Sequence, residues 1–130
     1  MDRIDLHVEV TPVSFNELSS ERKSENSVSI RERVIRAREI QAKRFEGNDG
    51  IYCNAQMEAK KVQDICIISE AGRNLLKKAM AKLNLSARAY DRILKVSRTI
   101  ADLAASEEIK TEHLAEAIQF RSLDREDWAM

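Results

Sequence analysis

Only 3 glycines and 1 proline occur in 130 residues, and aromatic side chains make up 5%. So few turn-formers exclude a fold of many short strands and tight hairpins, and point to a soluble helical domain. Cysteine is equally sparse. Cys53 and Cys66 have no second pair and no histidine at ligand spacing, which argues against a disulfide framework or a zinc module. They read as reduced, part-buried thiols, and the separate His7 and His113 as surface or packing histidines. No apolar run approaches the ~18 residues of a membrane span. Met1-Asp2-Arg3-Ile4-Asp5 has neither the basic start nor the apolar stretch of a secretory signal, so the expected compartment is the cytoplasm. Charge of one sign is missing too. The 22 Lys and Arg balance 22 Asp and Glu, and no global field recruits nucleic acid or an anionic membrane. The glycines are too scattered for a phosphate-cradling loop, and no nucleophile–base arrangement has a supporting pattern. Alone, this chain lacks the parts of an enzyme.

What is present is a succession of amphipathic helices. Residues 4–10, Ile-Asp-Leu-His-Val-Glu-Val, alternate apolar and polar and predict a half-buried strand. A single strand is not stable alone, so this one looks orphaned from a sheet the sequence does not contain. Residues 16–28 are polar, rich in Ser and Glu, and read as a mobile linker. Ser29-Ile30-Arg31-Glu32 has the spacing of a capping box, and Ile30, Val34, Ala37, Gln41 and Phe45 follow at helical period. Gly47-Asn48-Asp49-Gly50 ends that helix. A short helix is expected around Glu58–Asp64. Ser69 caps the next, with Leu75, Leu76, Ala79, Met80 and Leu83 inward. Asn84-Leu85 is a tight connection to a long helix capped by Ser86, whose buried side should include Ala89, Ile93, Val96, Ile100 and Leu103. Thr111 is the expected cap of a last helix with Leu114, Ala117 and Ile118 inward, and Trp128 should dock on the bundle. Tyr52 and Tyr90 read as packing residues, and Asp91–Lys95 as a local ion pair. Short connections between such helices predict antiparallel neighbours in a small bundle of four to five helices.

The chemistry that remains is arginine. In Leu85-Ser86-Ala87-Arg88-Ala89-Tyr90-Asp91-Arg92-Ile93-Leu94-Lys95-Val96, a capping serine is followed two positions later by Arg88 in the first helical turn. Backbone N–H groups and the positive end of the dipole favour an anion there. An arginine at that position opposes the dipole, so an anionic partner gives it a physical reason to be there. Arg3 stands directly before the orphan strand. A planar, permanently charged fork is a recurrent device for neutralising a transferring phosphoryl group. Arg31, Arg33, Arg36, Arg38, Lys43 and Arg44 make the first helix basic, diluted by Glu32, Glu39 and Glu46. That surface reads as an ordinary charged exterior or, in the alternative, as a face for DNA or another subunit.

Asp2-Arg3-Ile4-Asp5-Leu6-His7-Val8-Glu9-Val10, the 85–96 segment and His113-Leu114-Ala115-Glu116-Ala117-Ile118-Gln119-Phe120-Arg121 together resemble the C-terminal part of the magnesium-chelatase-related AAA+ ATPases, the YifB/ComM family. The resemblance implies a mainly α fold, an AAA+ lid-type bundle preceded by one strand of a missing α/β core. Residues 1–13 would be that last strand and its preceding turn, 14–28 a linker and 29–130 the helical lid. It implies that Arg3 matches an arginine finger acting in trans on ATP held by a neighbouring protomer. Arg88 would match the sensor 2 arginine near the γ-phosphate. The Walker A and B segments would precede residue 1, making the chain a fragment with a natural C-terminus that is inactive by itself. The implied cofactors, ATP and Mg2+, would belong to the full-length parent. The implied partners are the core of the same polypeptide, neighbouring protomers in a hexameric ring and DNA, in uptake or recombination. Two alternatives stand beside this one: a stand-alone helical interaction domain binding DNA through residues 31–44, and a magnesium-chelatase motor subunit.

Overall fold

The asparagine at position 26 decides where the first helix begins. In the computed structural model, which describes residues 6–8, 25–48 and 50–121, helix α1 spans Ser27–Arg44. The Asn26 side-chain oxygen accepts the Ser29 N–H at 2.9 Å. Ser29 is therefore inside the first turn, and the capping box expected to start there does not form. Asn and Ser are comparable N-caps, and the earlier one is used. Gly47 follows the helix at φ +85°, the left-handed backbone that glycine adopts without strain.

A 3-10 turn at Asn54–Gln56 and helix α2, Ala59–Ile65, lead to α3, Glu70–Leu83, then α4, Ala87–Leu103, and α5, Thr111–Gln119. The Ser69 hydroxyl caps α3 by accepting the Gly72 N–H at 3.1 Å. Asn84 takes the left-handed conformation at φ +51°, and the Leu85 N–H donates back to the Met80 carbonyl at 3.0 Å. That closure turns the chain into α4 with no free residues to spare. Helix α5 is capped differently from the expectation. Its N-cap is Lys110, and the Lys110 N–H donates to Nδ1 of the buried His113 at 2.9 Å. Thr111 lies within the helix, and the imidazole reaches back to accept the N–H of the N-cap residue itself.

Helix α4 is the hub, packed against α1, the 3-10 turn, α2 and α5, while α5 also packs on α3. The core joins Phe45, Met57, Val62, Leu76, Ile93 and Leu114 among its buried residues. Each such side chain contributes about 1.5–3 kcal/mol of transfer free energy. A parallel bridge between Ile68 and Ile109 ties the two loops that flank α3 and α5. The architecture among the described residues is thus five helices and no strand, as a helical lid requires.

Three expectations are corrected by the packing. The buried face of α4 carries Ala89, Ile93, Leu94, Ser97, Arg98, Ala101 and Asp102. Val96 and Ile100 are only partly buried, and Leu103 is 44% exposed. The burial stripe has turned away from the apolar residues because a polar cluster draws Arg98 and Asp102 inward. Tyr52 is exposed rather than packed. Ile30 and Val34 are exposed too, since α4 covers only the half of α1 that carries Ala37 and Gln41. Of the strand expected over 4–10, only residues 6–8 are among those described. They form no strand, and the His7 N–H donates to the Phe120 carbonyl at 2.9 Å. Trp128 lies outside the described residues.

Candidate functional site

The N-terminus of α4 is built by Ser86. Its hydroxyl accepts the Ala89 N–H at 3.3 Å, and its carbonyl accepts the Tyr90 N–H at 3.1 Å. Ala89, fully buried, pins this first turn to the bundle. Arg88, the second residue of the helix, is exposed. Among the described residues no hydrogen bond or ion pair engages its side chain. A guanidinium is therefore held on a fixed turn at the N-terminus of the helix, with no ion pair among the described residues. Arg92 and Lys95 follow at i+4 and i+7, so the three cations share one face of the helix. Lys95 directs its Nζ to the Ala55 carbonyl at 3.4 Å, and the expected Asp91–Lys95 pair is not formed. Behind this turn a shallow, mostly apolar pocket of about 250 Å3 is lined by Arg73, Lys77 and Tyr90. Arg3 lies outside the described residues.

At the other end of α4 sits a cluster that sequence reasoning missed. Asp102, with a fully buried side chain, accepts from Arg44 twice, Nη1 at 2.8 Å and Nη2 at 2.6 Å. Arg98 Nη2 lies 3.2 Å from the same carboxylate. The fully paired fork explains why the Arg44 guanidinium is held above its ordinary value: hydrogen bonding to Asp102 outweighs the opposing effect of burial. Asn54 completes the cluster. Its Nδ2 donates to Asp102 at 2.9 Å and to the Thr99 hydroxyl at 3.0 Å, while its Oδ1 accepts from Arg44 at 3.0 Å. The Asn54 N–H in turn donates to Gln41 Oε1 at 2.9 Å. Arg98 Nη1 and Nη2 donate to the Glu107 and Ser106 carbonyls, at 2.9 and 2.7 Å, while its buried Nε has no hydrogen-bond partner.

That arrangement is a clamp, not a reaction centre. It joins α1, the 3-10 turn, α4 and the loop after it, and each side chain named has at least one partner inside the bundle. Cys66 lies within electrostatic reach of both arginines, yet burial pushes its thiol up to about 11. It is a protonated core thiol at neutral pH, and both cysteines are free. The signal available in the sequence was Arg98 and Asp102 themselves, an i,i+4 pair interrupting the apolar stripe of α4. Among the described residues no group of three His, Cys, Asp or Glu could hold a metal ion. No helix there is long and apolar enough to cross a membrane.

Comparison with known sequences adds what geometry cannot. Residues 24–121 match the family described as magnesium chelatase, subunit ChlI C-terminal. This chain belongs to that family. The match begins just before the Asn26 cap and ends just after α5, so the family unit and the five-helix bundle coincide. The chain is similar to the competence protein ComM of Haemophilus influenzae, 41% identical over 96% of this chain. It is similar also to the uncharacterized protein YifB of Salmonella typhimurium, at 36%, and of Escherichia coli, at 35%. In each case it spans 24% of the relative's length, about a quarter. Members of the ComM and YifB group therefore share this bundle as one part of a longer polypeptide.

Proposed function

We propose that this bundle is the lid and sensor 2 region of an oligomeric AAA+ ATPase, coupling ATP binding and hydrolysis to the remodelling of DNA. The observation that carries the reading is Arg88, exposed and without a partner among the described residues, on the rigid first turn of α4. In this reading its fork reaches the γ-phosphate of ATP held by the rest of the polypeptide. Ser86 and Ala89 keep the turn fixed, so that gain or loss of the phosphate changes the angle between lid and core. Arg3 acts as the arginine finger towards a neighbouring protomer of the ring. Mg2+ would be held with the nucleotide by the rest of the polypeptide, and among the described residues no group of three His, Cys, Asp or Glu could hold it. ATP supplies the driving reaction; the residues of this chain orient and sense its terminal phosphate. DNA is the proposed substrate, in keeping with the name of the Haemophilus relative, a competence protein. A stand-alone DNA-binding role for α1 is disfavoured by Ile30, Val34 and Ile35, which are exposed among its arginines and offer nothing to a phosphate backbone.

The test is a chimaera carrying this chain in place of the matching quarter of ComM. Arg88→Ala is expected to lower the kcat for ATP about 100-fold, the effect of removing one preorganised donor from developing charge. Arg3→Ala should lower it about a thousandfold or more, and only in the assembled state. Turnover left unchanged by both substitutions would refute the reading.

A further inference from the structure

Between α3 and the first turn of α4 the bundle leaves an apolar surface open. Ile68, Leu76, Met80 and Tyr90 line a depression of about 250 Å3, and Arg73 and Lys77 stand at it too. Lys77 also borders the neighbouring surface formed with Asn74, Lys78 and Ala81. Arg73, Lys77 and Lys78 are all exposed, and among the described residues no hydrogen bond or ion pair engages any of them. An apolar floor is thus edged by three cations that have no counter-charge paired to them. Tyr90 stands two positions after Arg88, about 200° around α4, so the depression faces away from the Arg88 fork.

The chain carries one segment of matching chemistry. Beyond the described residues, 122–130 read Ser-Leu-Asp-Arg-Glu-Asp-Trp-Ala-Met, three carboxylates against one arginine, with the single tryptophan directly after Glu126-Asp127. We infer that the α3–α4 depression receives Trp128 of the same chain, with Glu126 and Asp127 against Arg73, Lys77 and Lys78. An indole brings about 150–250 Å2 of surface to bury, and a guanidinium at its face adds a cation–π attraction. Reach is sufficient. Trp128 is seven residues past Arg121, a span of up to about 23–25 Å. Helix α3, against which α5 packs, has 14 residues and is about 21 Å long. The α4–α5 groove is larger, about 350 Å3, but its lining includes both Lys95 and Glu116 and already holds Leu6, so it offers an acidic segment no preference. A polyanion such as nucleic acid would meet the cations and leave the aliphatic floor in water, whereas the tail covers both. The contact is independent of the nucleotide reading, since Arg88 takes no part in it.

Trp128 is the only tryptophan in the 130-residue chain, so intrinsic fluorescence reads the contact directly. The expected result is emission at shorter wavelength than that of the urea-unfolded chain, with protection from acrylamide quenching. Both should be the same at every protein concentration and weaken with added salt, because the flanking cations are exposed. Arg73→Glu with Lys77→Glu should move the emission to the unfolded wavelength, and so should Glu126→Lys with Asp127→Lys. Combining all four substitutions in one chain should restore the shorter wavelength, since each side then supplies the charge the other lost. Restoration also shows that the reversed helix is folded, and circular dichroism checks each variant separately. Unfolded-like emission from the unsubstituted chain, protection that survives either reversal, or no restoration in the combined variant would each overturn the inference. Protection that grows with protein concentration would place the tail on another copy and overturn it as well. Arg88→Ala should leave the emission unchanged whatever it does to turnover in the chimaera, so the two proposals fail separately.

Discussion

Asp102 answers to two guanidinium groups, and that makes it the most consequential single carboxylate among the described residues. Asp102→Asn keeps the shape but leaves Arg44 and Arg98 facing each other in the interior without a counter-charge. The expected loss is about 3–5 kcal/mol, the range for breaking a buried pair by removing one partner, read as a fall in the urea midpoint. Arg44→Met should be milder, because it removes a charge rather than stranding one and its side chain is 18% exposed. Cys66 makes a second prediction at this scale. Its thiol titrates near 11 in the fold against an ordinary value of 9.0. In that window the unfolded chain releases a proton that the folded chain retains. Stability is therefore fully present below pH 9 and falls as pH rises through 11. Cys66→Ala should flatten that alkaline limb in a series of melting temperatures. At pH 8 a thiol reagent should modify the half-buried Cys53 long before Cys66.

Helix ends tell most about how the elements were specified. After α4 the Ser106 N–H donates to the Ala101 carbonyl at 2.8 Å and the Ala105 N–H to the Asp102 carbonyl at 3.0 Å. This double closure places Ala105 at φ +56°, where a Cβ costs about 1–2 kcal/mol. Ala105→Gly should raise stability by roughly 1 kcal/mol in the same denaturation assay, against the usual direction of an Ala to Gly change. Gly72 in α3 behaves oppositely. A Cβ there would stand 2.7 Å from Leu114 Cδ1, and Leu114 is fully buried. Gly72→Ala should therefore lower stability by about 1 kcal/mol despite the gain in helix propensity, and Leu114→Val should recover part of the loss. Caps and turns of this kind were legible in the sequence because they are local: Ser69, Ser86, Asn84 and the Gly47 turn stand where the pattern put them. The caps at Asn26 and His113 were not. Two good capping residues competed in the first case, and in the second the acceptor lies inside the helix. The orientation of α4 was the larger failure, because Arg44 and Asp102 are 58 positions apart. No periodicity within one helix reveals a partner at that distance.

For the whole molecule, family membership was legible from the segment around Arg88, while the use of that arginine rests on what lies opposite it. The bundle alone carries one face of the proposed nucleotide site. Millimolar Mg-ATP is therefore expected to shift the melting temperature of this chain by less than about a degree, since only specific binding at high occupancy adds stability. A larger shift, measured by calorimetry, would mean that the bundle holds the nucleotide without a core. The Arg44–Asp102–Arg98 cluster also has a bearing on how such a domain can diverge. Swapping Asp102 alone strands two interior guanidinium groups, whereas an all-aliphatic replacement of the three could pack without penalty. A path that begins at Asp102 therefore leads through poorly folded intermediates, and a lineage holding this cluster keeps that carboxylate unless its arginines change first or together with it.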